Sequence, residues 1–174
     1  MNTHTTLSAI VFMVLANPTA AAQQPQPIYF EAQHSSDVHA FLERNGYRVE
    51  QDGILWLIAP DGTRVQLNTF GNQGGISGLR VSAWYSIGQS SAAIEQALYY
   101  ERTNPLASVA FYFTEEFRVV QLQRDIEFGP GRTEANIISN VQLLFGLIPH
   151  FEASLAESDP ELAAFWYGAV ESGQ

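Results

Sequence analysis

Asp125 and Glu127 have the plainest claim to chemistry in this chain. They are two residues apart, so a strand running through them would turn both carboxylates to one face. Paired carboxylates are the usual apparatus of acid–base hydrolysis, although a hydrolase would also need a cleft. The plainer role for Asp125 is to fix the turn at Gly129 and Gly131, or to cap the helix after it. His34 and His39 are five residues apart, not at the i, i+4 spacing of a helical metal site, and His150 stands alone. All three read as surface histidines, and no metal is expected. Ser90 and Ser91 lack the flanking glycines of a nucleophile elbow. The glycine-rich stretch 71–78 lacks the lysine and the helix N-terminus of a phosphate loop, and reads as a loop. Glu115 and Glu116 form the tip of a hairpin.

Two aromatic sites suggest binding instead. Residues 79–87 alternate, with Leu79, Val81, Ala83, Tyr85 and Ile87 on one side and Arg80, Ser82, Trp84 and Ser86 on the other. Trp84 beside Arg80 on the polar side can anchor a partner or stack on a sugar. The plainer alternative is that a helix covers it, because tryptophan is highly buried on average. Phe165 and Trp166 share the face of a terminal helix, either packed down or offered to a partner.

Composition narrows the field. All eight basic residues are arginine, against eighteen acids, for a net charge of −10. That argues against nucleic acid and anionic membrane surfaces, which reward clustered positive charge. Without lysine there is no Schiff base and no Walker-type loop. With no cysteine there are no disulfides, thiol nucleophiles, thiolate zinc sites or iron–sulfur clusters. No cofactor is expected. A hydrophobic content of 46% allows a core held by packing alone.

The elements that position these residues follow from periodicity and punctuation. Residues 36–45 read as a helix with Val38, Phe41 and Leu42 inward, capped by Ser35 or Ser36 and ended by Gly46. Strands follow at 47–50, 55–59, 64–70 and 79–87, with a tight turn at Pro60-Asp61-Gly62. Ser90 or Ser91 caps a second helix to Arg102, with Ile94, Ala97 and Leu98 inward; Asn104-Pro105 stops it. Two hairpin strands at 107–113 and 117–123 lead to a long helix at 133–155. Its stripe of Ile137, Val141, Leu144, Ile148, Phe151 and Leu155 is widened by Leu143 and Leu147. Such a stripe fits either a fully covered core helix or a dimer seam. Pro149 should kink it near Phe145. A short last helix starts at Ser158-Asp159-Pro160-Glu161. The order is α-ββββ-α-ββ-α-α, hence α+β with flanking helices on a mostly antiparallel sheet.

The N-terminus reads as an export address. Residues 7–15 (LSAIVFMVL) are apolar but shorter than the ~20 needed to span a bilayer. Ala20 and Ala22 suit a signal peptidase, so cleavage is expected after Ala22 and the location is periplasmic. The first six residues hold no arginine or lysine, which is unusual for such a signal. Residues 23–33 form a flexible leader, 34–155 the domain, and 156–174 a helical extension. No stretch is long enough for a membrane span.

This element order comes with recognisable residues. They are Asp61-Gly62 at a hairpin, Phe70-Gly71 before the glycine-rich stretch, and the strand Leu79-Arg80-Val81-Ser82-Ala83. Asn104 follows the second helix, and Asp125 precedes Gly129, Gly131 and Thr133. The chain thus resembles the YbjN family over residues 34–155. These are bacterial proteins described as sensory-transduction regulators, with a fold similar to type III secretion chaperones. The Trp-Asn and Arg-aromatic pairs that many members place after the second helix are replaced here by Thr103-Asn104-Pro105-Leu106. The resemblance implies a non-enzymatic, protein-binding regulatory module, and a homodimer. A carbohydrate- or small-ligand-binding envelope protein is the alternative, and a hydrolase using Asp125 and Glu127 the second alternative.

Overall fold

Helices pack against one face of an antiparallel sheet in the computed structural model, which describes residues 30–72, 74–113, 118–129, 132–158 and the backbone of 166–167. The chain runs α1 (Ser35–Arg44), β1 (Arg48–Asp52), β2 (Ile54–Ile58), β3 (Arg64–Asn72), β4 (Gly75–Ser86), α2 (Ser91–Thr103), β5 (Ser108–Phe113), β6 (Arg118–Glu127), α3 (Glu134–Ser158) and β7 (Trp166–Tyr167). The α+β class and the order of helices and strands are those the sequence implies. The sheet order is β1-β2-β3-β4-β6-β5, with β7 added to β4. The first four strands form a meander. α2 then carries the chain past the next position to the edge strand β5, and the hairpin returns β6 between β5 and β4.

One core joins the layers. Leu57, Val65, Leu67, Leu79, Val81, Tyr85, Val120 and Leu122 enter it from the sheet. Val38, Phe41 and Leu42 enter from α1, and Ala93, Ala97 and Tyr100 from α2. From α3 come Ile137, Val141, Leu144, Ile148, Phe151 and Leu155, the stripe read from spacing. Ile138, Phe145 and Leu147 pack partly against the same core, so at Leu147 the widened stripe is taken up within the chain. α3 continues through Pro149 to Ser158. Among the described residues no helix is long and apolar enough to cross a membrane.

Helix starts follow local hydrogen bonding. Ser90 Oγ accepts from the Ala93 amide at 3.2 Å and caps α2. α1 starts one residue early. The Asp37 carboxylate, not a serine, takes the amides of Gln33 and His34 at 2.9 and 2.8 Å. Those amides hold Asp37 below its ordinary 3.8.

Several expectations need correction. Leu98 is 41% exposed, because the buried face of α2 follows Ala93, Ala97 and Tyr100 and Leu98 lies one residue round from Ala97. The stretch 71–78 is mostly ladder: β3 runs to Asn72, and β4 begins at Gly75, with a bulge at Phe70/Gly71. Glycine is needed there for close approach. A Cβ on Gly78 would strike the Phe70 ring and the Ile126 carbonyl, and one on Gly71 would meet the β4 backbone. The leader ends before residue 33, since Phe30 and Ala32 are buried in the core. The Phe30 ring lies 4.3 Å from that of Phe41 and 4.9 Å from that of Phe128, and Ala32 bridges to Ile76. The expected terminal helix is overturned at the two of its residues described. Trp166 and Tyr167 are extended and pair with Tyr85 and Trp84. β3 meets β4 only from Gln66↔Ser82 onward, which leaves that end of β4 open on the β3 side for β7. Phe165, Gly131, the tip at 115–116 and the signal at 1–22 lie outside the described residues.

Candidate functional site on the sheet face opposite the described helices

Alternation in β4 assigns its side chains to two faces. Leu79, Val81, Ala83 and Tyr85 point into the core, so Arg80, Ser82, Trp84 and Ser86 occupy the face that no described helix covers. Antiparallel register then fills in this face. Arg80 stands opposite Asp125, Ser82 opposite Gln123, Trp84 opposite Gln121, and Ser86 opposite Val119. From β3, Gln66 stands opposite Ser82 and Asn68 opposite Arg80. From β5, Ala110 stands opposite Gln121 and Tyr112 opposite Val119.

Ser82, Trp84, Gln121 and Gln123 are thus the corners of one square on two adjacent strands. Facing partners in such a pair lie ~4.5–5.5 Å apart. Ser82 is 0% exposed and Gln121 2% exposed. They are the buried polar residues among the described residues. Ser82 Oγ, Trp84 Nε1, Gln121 Oε1 and Gln123 Oε1 are buried and have no hydrogen-bond partner, and so is Arg64 Nε on β3. A buried polar group normally finds a partner, and one left without costs about 1–3 kcal/mol. Ile58 and Val119 are buried on this same face, outside the main core cluster.

Two ion pairs lie on this face. Arg80 Nε and Nη2 donate to the two oxygens of Asp125 at 2.5 and 2.6 Å. Hydrogen bonds from Arg80 hold the Asp125 carboxyl below 3.8, and Asp125 raises the Arg80 guanidinium above its usual value. Arg48 Nε lies 2.7 Å from Glu50 Oε1. The Arg64 guanidinium sits 4.9 Å over the Trp56 ring. The Trp84 ring lies 5.0 Å from that of Tyr112, tilted by 33°.

Of the residues singled out in the sequence, Arg80 and Trp84 do share this face. Asp125 and Glu127 share it too, because β6 continues to Glu127. Yet Asp125 neither caps α3 nor fixes its turn. Thr133 and Asn136 cap that helix, with Thr133 Oγ1 accepting from the Asn136 amide at 3.2 Å. The Arg132 amide closes the turn on the Gly129 carbonyl at 2.9 Å. Asp125 is clamped by Arg80, whereas a general acid needs a carboxyl raised above its ordinary value. Trp166 brings its backbone alongside Tyr85. Sequence reasoning missed Ser82, Gln121, Gln123 and Tyr112 as site residues. The signal was present: Gln121 and Gln123 alternate with Val120 and Leu122, as Ser82 and Trp84 alternate with Val81 and Ala83.

No family model and no curated protein matches the chain. The crystal structure of an uncharacterised protein from Methanothermobacter thermautotrophicus is similar over 71% of this chain and 96% of that chain, at 11% identity and a TM-score of 0.48.

Proposed function

We propose that this chain is an exported, non-enzymatic binding module of the bacterial envelope, YbjN-like in kind, that holds its ligand on the sheet face opposite its described helices. One observation carries the reading. Trp84 and the 41% exposed Tyr112 bring their rings to 5.0 Å of each other on the sheet face that no described helix covers, next to the unpartnered polar groups of Ser82, Trp84, Gln121 and Gln123. Export is supported by the apolar run at 7–15 and by Ala20 and Ala22 before the cleavage point after Ala22. The hydrolase alternative loses ground because Asp125 is tied to Arg80.

The test is retention. The immobilised protein is exposed to bacterial envelope extract, and bound polypeptide and bound glycan are both analysed. The reading requires material held by the wild type and lost with Trp84→Ala and with Tyr112→Ala. It fails if nothing is retained, or if the variants retain the same material equally.

A further inference from the structure

We infer that the outer edge of β5 pairs with the same edge of a second copy of this chain, antiparallel and about a two-fold axis at Tyr112. This seam is independent of the ligand surface proposed above. It also lies away from α3, whose apolar stripe is buried within the chain.

β1 and β5 are the two ends of the strand order. An open edge invites another strand, and charged side chains are a common guard against it. β1 carries Arg48, Glu50 and Asp52. β5 reads Ser-Val-Ala-Phe-Tyr-Phe and carries no charge. The Val109 amide donates to Glu101 Oε1 of α2 at 2.9 Å, so it points away from β6. Alternation along an antiparallel ladder turns the amides and carbonyls of Phe111 and Phe113 the same way. Among the described residues these two amides have no partner. Exposed large hydrophobics gather here. Leu106, Tyr112 and Phe113 lie on β5 or just before it, and Leu98 and Tyr99 on α2; of those described, only Ile54 lies elsewhere. Leu98 is one turn before Glu101, on the helix side that reaches the β5 edge. Beside it Glu95 and Arg102 offset each other in charge.

The occupant follows from charge and symmetry. Chains of net charge −10 repel one another, so two copies need an uncharged contact, and β5 is one. A foreign strand selected by charge would find none on β5. Pairing Phe111 with Phe113 of the second copy engages the open amides and carbonyls of both chains, each pair exchanging both its N–H···O bonds. Tyr112 then faces its twin at the axis, and the Trp84–Tyr112 rings of the two copies join in one row. Glu101 on the Val109 amide closes the edge before Phe111 and so fixes this register. The charged β1 edge does not extend the pairing, so assembly closes at two copies.

The experiment is sedimentation equilibrium of the full chain, without ligand, from low to high micromolar concentration. The expected result is a reversible equilibrium between one and two copies. Salt should tighten it, because screening weakens the mutual repulsion and no ion pair spans the seam. Phe113→Pro removes an outward amide and no bond to β6. It should weaken the dimer by about tenfold or more, since the two-fold axis doubles each lost hydrogen bond. Phe113→Glu keeps the amide and sets carboxylates near the axis, and salt should restore part of its loss. Phe113 is exposed, so neither change touches the core. Amide hydrogen exchange of the wild type needs no variant. The Phe111 and Phe113 amides should gain protection as concentration rises, while that of Val109, held by Glu101, should not. A chain that stays single at every concentration overturns the inference, as does a dimer indifferent to both variants, or one that leaves these two amides unprotected. Assembly beyond two copies overturns the two-fold seam. Protection of the two amides only on adding envelope extract would give the edge to a foreign strand and remove the second copy.

Discussion

Arg80 and Asp125 are 45 residues apart in the chain and meet across β4 and β6 in a two-pronged ion pair with donor–acceptor distances of 2.5 and 2.6 Å. The pair has two consequences. It withdraws Asp125 from acid–base work, and it matches the two charges that flank Ser82 and Gln123 on this face.

Its contribution to stability should be small and pH-dependent. The side chains are 38% and 45% exposed, so solvent screening limits the pair to about 0.2–1 kcal/mol. The folded carboxyl titrates below 3.8, so the stabilisation is full above that value and is lost as pH falls through the folded value. Asp125→Asn should therefore melt lower than wild type at pH 7. The gap should shrink in high salt and vanish in strong acid. Thermal melts across that range check it, and a gap that widens in acid would contradict the assignment.

Ser82 gives an opposite expectation. Its hydroxyl is buried without a partner in the unliganded protein. Ser82→Ala removes that group with little change of volume, so it should leave stability unchanged or raise it by about 1 kcal/mol. Chemical denaturation of the ligand-free protein measures this. A loss above about 1 kcal/mol would mean that the hydroxyl has an intramolecular partner.

What could be read from the sequence was what is local. The α3 stripe was legible because six apolar residues recur at three and four, and each of them is buried. The β4 alternation was legible for the same reason, and it placed Arg80 and Trp84 on the correct face. The partners across the sheet were not legible. α2 separates β4 from β5 and β6 in sequence, so neither Asp125 nor Gln121 announces which β4 residue it will face. Glycines misled at 71–78, where they serve close strand packing and read as a loop. Trp166 misled because the helix start at Ser158-Asp159-Pro160-Glu161 precedes it, while aromatics also favour strands.

Leu144 and Leu98 offer a direct contrast on two helices. Leu144 is fully buried in the core, and Leu98 is 41% exposed on the outside of α2. Leu144→Ala should cost about 2–5 kcal/mol through lost contacts and a residual cavity. Leu98→Ala should stay within about 0.5 kcal/mol. Denaturant unfolding of the two variants reads the difference. Comparable losses would return Leu98 to the inward face that its apolar character alone suggests.

Glu152 should reverse the sign seen at Asp125. It is a half-buried carboxylate on α3, beside the core tyrosine Tyr85, whose ring also meets Phe151 at 5.3 Å. Burial raises the Glu152 carboxyl above its ordinary 4.5, and a hydrogen bond with Tyr85 opposes that rise only in part. A carboxyl raised on folding contributes stability that is present below 4.5 and is lost as pH rises through the folded value. Glu152→Gln keeps the shape and the acceptor for Tyr85 and never ionises. The variant should therefore melt above wild type at pH 7.5, and the advantage should disappear below pH 4.5. Calorimetric melts at the two pH values decide it. A variant less stable than wild type at pH 7.5 would show that ionised Glu152 stabilises the α3–β4 contact, and that burial there is outweighed by a stronger bond to Tyr85.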